Sequence, residues 1–380
     1  MPNTLTGLIP TLYRAADIVV REQVGFIPSV FLNADADMVA VDQSINYPVV
    51  PAYAAGNIAA AATGPDPSDT SMGYGSMTIS KSRGVSFYWT GEEQKSLGPN
   101  YDMLIQDQFA QAMRTLINEL ENDLFLAVKR TASRAYGSAG TPPFATAAQL
   151  VDLAQIYKIL LDNGCPMSDL HMVLNSTAGA NLRGLHSELF KVNEAGTDSL
   201  LRSGVLGSLM NFNLHESGQI ALHTKGTGTA YVFNGSHAIG VTSLVAKTGT
   251  NTILYGDVVT FEDDTTNKYV VNTGIAAAGT MVIGGPGLKQ AQTDGKTITV
   301  GNNYTGNFAF HRYAVHALVR VPAMPAGGDA ADEVILITDP LSNITFQVAM
   351  YRQRRRIAYE VGLAWGVKVV KSDFVATLLG

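Results

Sequence analysis

From Ile105 to Val128 the apolar residues Ile105, Phe109, Met113, Leu116, Leu120, Leu124 and Val128 follow one another at steps of three and four. That spacing draws a single stripe along a helix, because about 3.6 residues complete a turn. The periodic segment runs over 101–137, and at about 1.5 Å per residue it makes a rod of roughly 50 Å. An average helix has about 11–12 residues, so a rod this long must lie against a sheet or a neighbour. It reads as a spine. A second rhythm, of period two, precedes it. Met77, Ile79, Val85, Phe87 and Trp89 all fall on odd positions, the alternation of a half-buried strand pair, with Gly84 where the run could turn or bulge. The same rhythm returns near the end of the chain. Phe346, Val348 and Met350 share one face of a strand, and Ile357, Tyr359, Val361, Leu363, Trp365, Val367 and Val369 share one face of a longer one. Between them "RQRRR" (352–356) sits at a hairpin corner, where arginines are positioned to touch something outside their own sheet.

The remaining elements follow from local signals. "PTLYRAADIVVREQVG" (10–25) predicts a helix with Pro10 in its first turn and Gly25 after its last. "INYPVVPAY" (45–53) is extended and edge-like because of its prolines, and 54–75 is a loop or tip. "TGEE" (90–93) spells a capping box, which assigns Glu92 and Glu93 to helix initiation rather than to a catalytic carboxylate pair. Residues 146–164 predict a helix closing on Asn163-Gly164, and 170–176 a buried strand. "SELFKVNEAG" and "SLLRSGVLGSLMNF" complete an α/β unit. The window 224–306 holds 14 glycines and 16 threonines with almost no helical period, so it parses as an all-β insertion. Within it 255–274 reads as strand–turn–strand around Asp263, Asp264 and Asn267. The chain resumes with 308–322 as a helix and 333–340 as a strand.

Composition sharpens this picture. Charged residues are only 15% of the 380, against 46% apolar. That is below the usual quarter for globular chains, which points to surface that meets protein rather than water. The net charge is 26 − 32 = −6, the wrong sign for tight binding to nucleic-acid phosphates. The single Cys165 excludes an intrachain disulfide and a cysteine-based zinc site, and fits a reducing cytoplasm. No leader-like signal opens the chain. The apolar run 47–62 is too short and too broken to span a bilayer. Motifs for chemistry are missing. There is no phosphate-cradling Gly-x-x-x-x-Gly-Lys loop, no Gly-x-Ser-x-Gly elbow, and no pair of histidines at metal-binding helical spacing. "KGTGTAYV" (225–232) lacks the third glycine and following helix of a cofactor loop. No catalytic, cofactor-binding or metal site is assigned, and the chain is not read as an enzyme.

Four stretches carry a family resemblance: "TLTGLIPTLYRAADIVVREQVGFIP", "TISKSRGVSFYWTGEEQ", "GNFAFHRYAVHALVRVPAMP" and "RRRIAYEVGLAWGVKVVKSDFVATLL". Together the chain resembles the major capsid (coat) proteins of tailed bacteriophages, with the Hong Kong 97 fold, and more narrowly the podophage-type coat group with an inserted β domain. The resemblance implies an α+β fold: an N-terminal arm (1–47), an extended β-hairpin loop (48–95), a peripheral domain with the spine helix (96–140), an axial domain (141–223), the inserted all-β domain (224–306), an axial return (307–334) and peripheral strands (335–380). It implies hexamers and pentamers that close an icosahedral shell around double-stranded DNA, in a virion assembled in the bacterial host cytoplasm. Implied partners are the chain itself, a separate scaffolding protein (the chain begins almost at the arm), a portal protein, a decoration or cement protein, and DNA by weak non-specific contact. No membrane or cofactor is implied. No lysine–asparagine–carboxylate trio for covalent crosslinking is identifiable.

On this reading the hairpin 66–90 and the arm 1–47 bury their apolar residues against a neighbouring subunit. Arg352, Arg354, Arg355 and Arg356 are expected to pair with a neighbour's carboxylates, with DNA contact as the lesser alternative. Lys81, Arg83, Asp263 and Asp264 are expected to make further intersubunit contacts. The rivals are an encapsulin-type shell on the same fold and a soluble two-domain enzyme.

Overall fold

The computed structural model of the chain describes residues 5–21, 25–49, 73–147, 149–185, 207–339 and 342–380. Of the loop or tip expected at 54–75, residues 54–72 lie outside the described residues and 73–75 are strand; the segment 187–196 lies outside them entirely. The periodic spine is a 31-residue helix, α3 (Tyr101–Thr131), and all seven stripe residues are buried. The capping box also forms: Thr90 accepts from the Glu93 amide while Glu93 accepts from the Thr90 amide, opening α2 (Gly91–Leu97).

α1 (Leu5–Arg21) begins earlier than the sequence suggested, so Pro10 lies inside it rather than in its first turn. Leu12, Ala15, Ala16 and Val19, at the i, i+3, i+4, i+7 spacing of one helix face, are buried in the same core as α3. Ile27 and Val30 join that core. This corrects the expectation that the arm buries its apolar side chains only on a neighbour: a single-stripe helix and a long spine in the same chain satisfy each other first.

A six-stranded sheet covers the spine. β1 (Phe31–Val39) pairs in parallel with β17 (Val315–Pro322), which pairs with the second half of β20 (Arg356–Val369). The first half of β20 pairs with β19 (Thr345–Gln353), and β19 with β18 (Glu333–Thr338). Along its other side β20 pairs with β4 (Lys81–Thr90). The alternating residues Phe346, Val348, Met350, Tyr359, Val361, Leu363 and Trp365 are buried in the core they share with α1 and α3.

Two details depart from the sequence reading. β3 (Gly73–Thr78) pairs with β2 (Ser44–Val49) and not with β4, so the run 76–94 is split between two sheets. The break falls at Ile79-Ser80, whose amides donate to Gln43 and Trp365 carbonyls. Gly84 is no turn. It stands mid-strand opposite Gly362, where a Cβ would come 2.4 Å from Glu360 Oε1. The predicted helix over 308–322 is two strands, β16 (Tyr304–His311) and β17, joined by a short turn. Both are buried on both faces, and a strand buried on both sides loses its period-two signature.

The second sheet is larger. β16 stands between β6 (Leu170–Leu174) and β21 (Val375–Leu379), and β6 runs parallel to β8 (Phe212–Glu216), which β7 (Ser208–Leu209) edges. β9 (Leu222–His223) pairs with the start of β16, and β5 (Arg134–Tyr136) runs parallel to β21. The helices α4 (Val151–Asp162) and α5 (Ser176–Leu185) pack on this part through Leu153, Ile156, Leu160 and Leu182. α4 closes on Asn163, with Gly164 at φ +75° as the Asn-Gly signal predicted. β5 then leads into β13 (Asp264–Thr273). There the antiparallel pairings close a ring: β13 with β12 (Val258–Phe261), β12 with β15 (Thr297–Val300), β15 with β10 (Tyr231–Phe233), β10 with β11 (Ser243–Lys247), β11 with β14 (Gly279–Ile283), and β14 with β13. This six-strand barrel holds its own core of Tyr231, Phe233, Leu244, Phe261, Tyr269 and Met281, and lies within the window read as all-β.

Candidate assembly surface

The arginine cluster stands where the alternation placed it. Gln353 pairs with Arg356, leaving Arg354-Arg355 as the two-residue tip of the β19–β20 hairpin. Arg355 takes φ +62°, a left-handed conformation that usually selects glycine, and its carbonyl accepts from the Gly91 amide at 3.1 Å. β4 ends opposite the tip, Thr90 facing Arg356, so the capping box sets α2 directly beside the arginines. Tip residues 352–357 together with Trp89, Thr90, Glu92 and Gln94 line an open cleft of about 710 Å³.

The four arginines are exposed but not equivalent. The Arg356 guanidinium lies 4.9 Å from the Tyr88 ring and donates to Gln353. The Arg352 amide donates to Asp332. Among the described residues, Arg354 and Arg355 reach no carboxylate.

The other residues singled out in the sequence are met within the chain. Lys81 Nζ lies 2.9 Å from Asp123 Oδ1 and 3.1 Å from Glu119 Oε1, and Arg83 Nε lies 3.1 Å from the same Glu119 oxygen. Burial disfavours the Lys81 charge, but the hydrogen bonds to Asp123 and Glu119 outweigh it and hold the group above its ordinary range. Asp123 also accepts from the Trp365 indole at 2.8 Å, so these charges fasten β4 and β20 to the spine. Asp263 accepts from Thr293 and lies 3.4 Å from Lys296; those bonds hold its carboxyl below the usual range. Asp264 is only 1% exposed and accepts from Tyr269 Oη at 2.6 Å and from Asn267. A surface contact through Asp264 is therefore corrected: the first residue of β13 turns inward.

Sequence reasoning missed Glu121. Its carboxylate is buried and accepts from the Phe26 amide at 2.6 Å, the Ile27 amide at 3.0 Å and Ser217 Oγ at 2.8 Å, joining the arm, the spine and the segment after β8. Burial raises its pKa, with the three hydrogen bonds opposing. Gly25 serves this contact: a Cβ there would stand 1.9 Å from Glu121 Oε1. The available signal was its position between Ile117 and Phe125, on a second buried row of α3.

No family model matches the chain, and no curated protein matches it in sequence. Solved structures do. The capsid structure of cyanophage P-SCSP1u matches over 94% of this chain and 88% of that one, at 9% identity and a TM-score of 0.51. The fold is that of a phage capsid subunit. A chain from Mycobacterium phage Che8 aligns over 94% of this chain and 91% of its own (14% identity, TM-score 0.49), and a chain of the bacteriophage PhiM1 mature capsid over 94% and 87% (10% identity, TM-score 0.48). The fold assignment rests on the cyanophage match. Within this capsid fold the arginine tip and its cleft lie at one end of the six-stranded sheet. Among the described residues no three His, Cys, Asp or Glu side chains group to hold a metal, and no helix is long and apolar enough to cross a membrane. His171, His223 and His316 bond locally, to Asp169, Asp257 and the Tyr313 carbonyl.

Proposed function

We propose that this chain is the major capsid protein of a tailed bacteriophage, a subunit that assembles with copies of itself into an icosahedral shell around double-stranded DNA. The observation that carries the reading is the capsid fold shared over 94% of the chain. In that reading the chain divides as the Hong Kong 97 fold does, with 1–47 as arm, 48–95 as extended loop, α3 as the spine of a peripheral domain, and 224–306 as an inserted β domain. The β2–β3 pair supports the loop assignment. Two strands alone are marginal in water, and here the packing runs from Met77 and Ile79, which join Val39, Leu318 and Ala364, up to Ile45 and Tyr47, while Tyr74 further along β3 is exposed. Arg352, Arg354, Arg355 and Arg356 pair with carboxylates of a neighbouring subunit, and Arg83, which keeps an exposed guanidinium, is a secondary contact. Modest contacts repeated around closed symmetry make a stable shell. A scaffolding protein, a portal, a decoration protein and weakly held DNA are the partners this role requires, and the host cytoplasm is where the shell forms.

Electron microscopy and sedimentation of the purified chain test this. The expected result is closed particles of megadalton size, with double-stranded DNA in those recovered from an infected host. A monomer or small oligomer under every assembly condition refutes the proposal, and a protein cargo in place of DNA turns it toward an encapsulin-type compartment.

A further inference from the structure

The six-stranded sheet carries opposite charge at two separate places. At the hairpin tip Arg354 and Arg355 are exposed without a carboxylate partner among the described residues, and they line an open cleft together with Trp89. On β1, the strand at the sheet's far edge, the pairing with β17 slips: Ala34 faces Val319, and the next paired residue, Met38, faces Val321. Three residues, Asp35-Ala36-Asp37, thus stand where β17 has only one, Arg320. They arch out as a bulge, and all three are exposed. Among the described residues neither aspartate has a cationic partner; Asp35 accepts only from the Ala36 amide.

These two places cannot meet inside one chain. The bulge lies level with about Ala364 of β20, eight residues from Arg356 and two strands across. At about 3.4 Å per residue and 4.8 Å per strand, the separation is roughly 30 Å across a rigid sheet. Several other exposed carboxylates are already engaged. Glu92 already lines the arginine cleft, Asp332 and Asp329 bond the strand leading to it, and Glu262, Asp263 and Asp294 are held by lysines of the barrel. An exposed acidic bulge and a cleft lined by four arginines are complementary in sign.

We propose that the Asp35–Asp37 bulge of one copy seats in the Arg354–Arg355 cleft of a second copy. The contact is heterologous, different patches on the two subunits, and repeats head to tail, the geometry that generates rings. It rests on the shell reading above and names the partner of the arginine tip. Carboxylate–guanidinium pairs can form two parallel hydrogen bonds, so register as well as charge is specified.

Charge exchange tests it. R354E/R355E and D35K/D37K, each checked for a native circular-dichroism spectrum, are expected to cut particle yield at least tenfold. Combining all four is expected to restore at least half of it. Normal assembly by D35K/D37K, or a quadruple variant no better than R354E/R355E, overturns the pairing while leaving the shell reading standing. A second measurement does not depend on shells. Mixed D37C and R355C chains are treated with a short bismaleimide, against a background of buried Cys165. A dimer band requiring both variants sustains the contact in whatever oligomer forms, and its absence overturns it. Failure of the wild-type chain to form particles counts against the shell reading, and the crosslink then decides the pairing alone.

Discussion

The barrel of strands β10–β15 and the six-stranded sheet are both antiparallel over most of their pairings, yet they end differently. The barrel closes on itself, which removes edge strands. Its charges also close: Lys296 lies 2.9 Å from Glu262 and 3.4 Å from Asp263, and Lys247 lies 2.6 Å from Asp294. Hydrogen bonds to these lysines and to nearby backbone hold the Glu262 and Asp294 carboxyls below their ordinary range. The sheet stays open. It presents an acidic bulge on one edge strand and an arginine hairpin at one end, and among the described residues Asp35, Asp37, Arg354 and Arg355 make no ion pair. Where a β unit satisfies its own edges and charges it needs only its core. Where it does not, the unfinished groups mark the place for another molecule.

That contrast can be broken most decisively at the tip. R354E/R355E should abolish particle formation while leaving the urea midpoint of the subunit unchanged; a lowered midpoint would make the arginines part of the fold. The reverse is expected in the barrel. Phe261→Ala removes a fully buried ring and should cost about 3–5 kcal/mol in urea unfolding, yet the subunits that remain folded should assemble normally.

Glu121 tests the seam between arm and spine. Replacing it by alanine leaves two buried backbone donors and Ser217 unsatisfied, at a cost of about 2–3 kcal/mol by chemical denaturation. Its pH dependence has a definite sign. Burial lifts the folded carboxyl above its ordinary value of 4.5, so the folded chain binds this proton more tightly than the unfolded chain. The contribution to stability is then greatest at low pH and declines as pH rises from 4.5 through the raised value. The wild-type advantage over Glu121→Gln should accordingly be larger at about pH 5 than at about pH 8.

Smaller effects sharpen the same contrast. Arg355→Gly relieves a left-handed backbone and should raise subunit stability by about 1 kcal/mol while lowering particle yield. An arginine kept where glycine fits better is expected only if its side chain acts outside the fold. Lys296→Ala should change neither assembly nor, measurably, the melting temperature, because the two ion pairs it breaks, to Glu262 and Asp263, lie at the surface.

Much of this architecture is written in local periodicity. The 3–4 spacing of Ile105 through Val128 dictates a one-stripe helix, the alternation over 346–369 dictates a hairpin with its arginines at the corner, and Thr90–Glu93 dictates a cap; each appears as spelled. These are properties of neighbours in sequence, set by backbone geometry alone. What tertiary structure decided is which elements meet. It made 308–322 two doubly buried strands, sent β3 to β2 instead of β4, folded the arm helix onto the chain's own spine, and turned Asp264 inward. It also created the Glu121 seam from groups 95 residues apart. Such choices depend on burial and on partners distant in sequence, and no period along the chain records them.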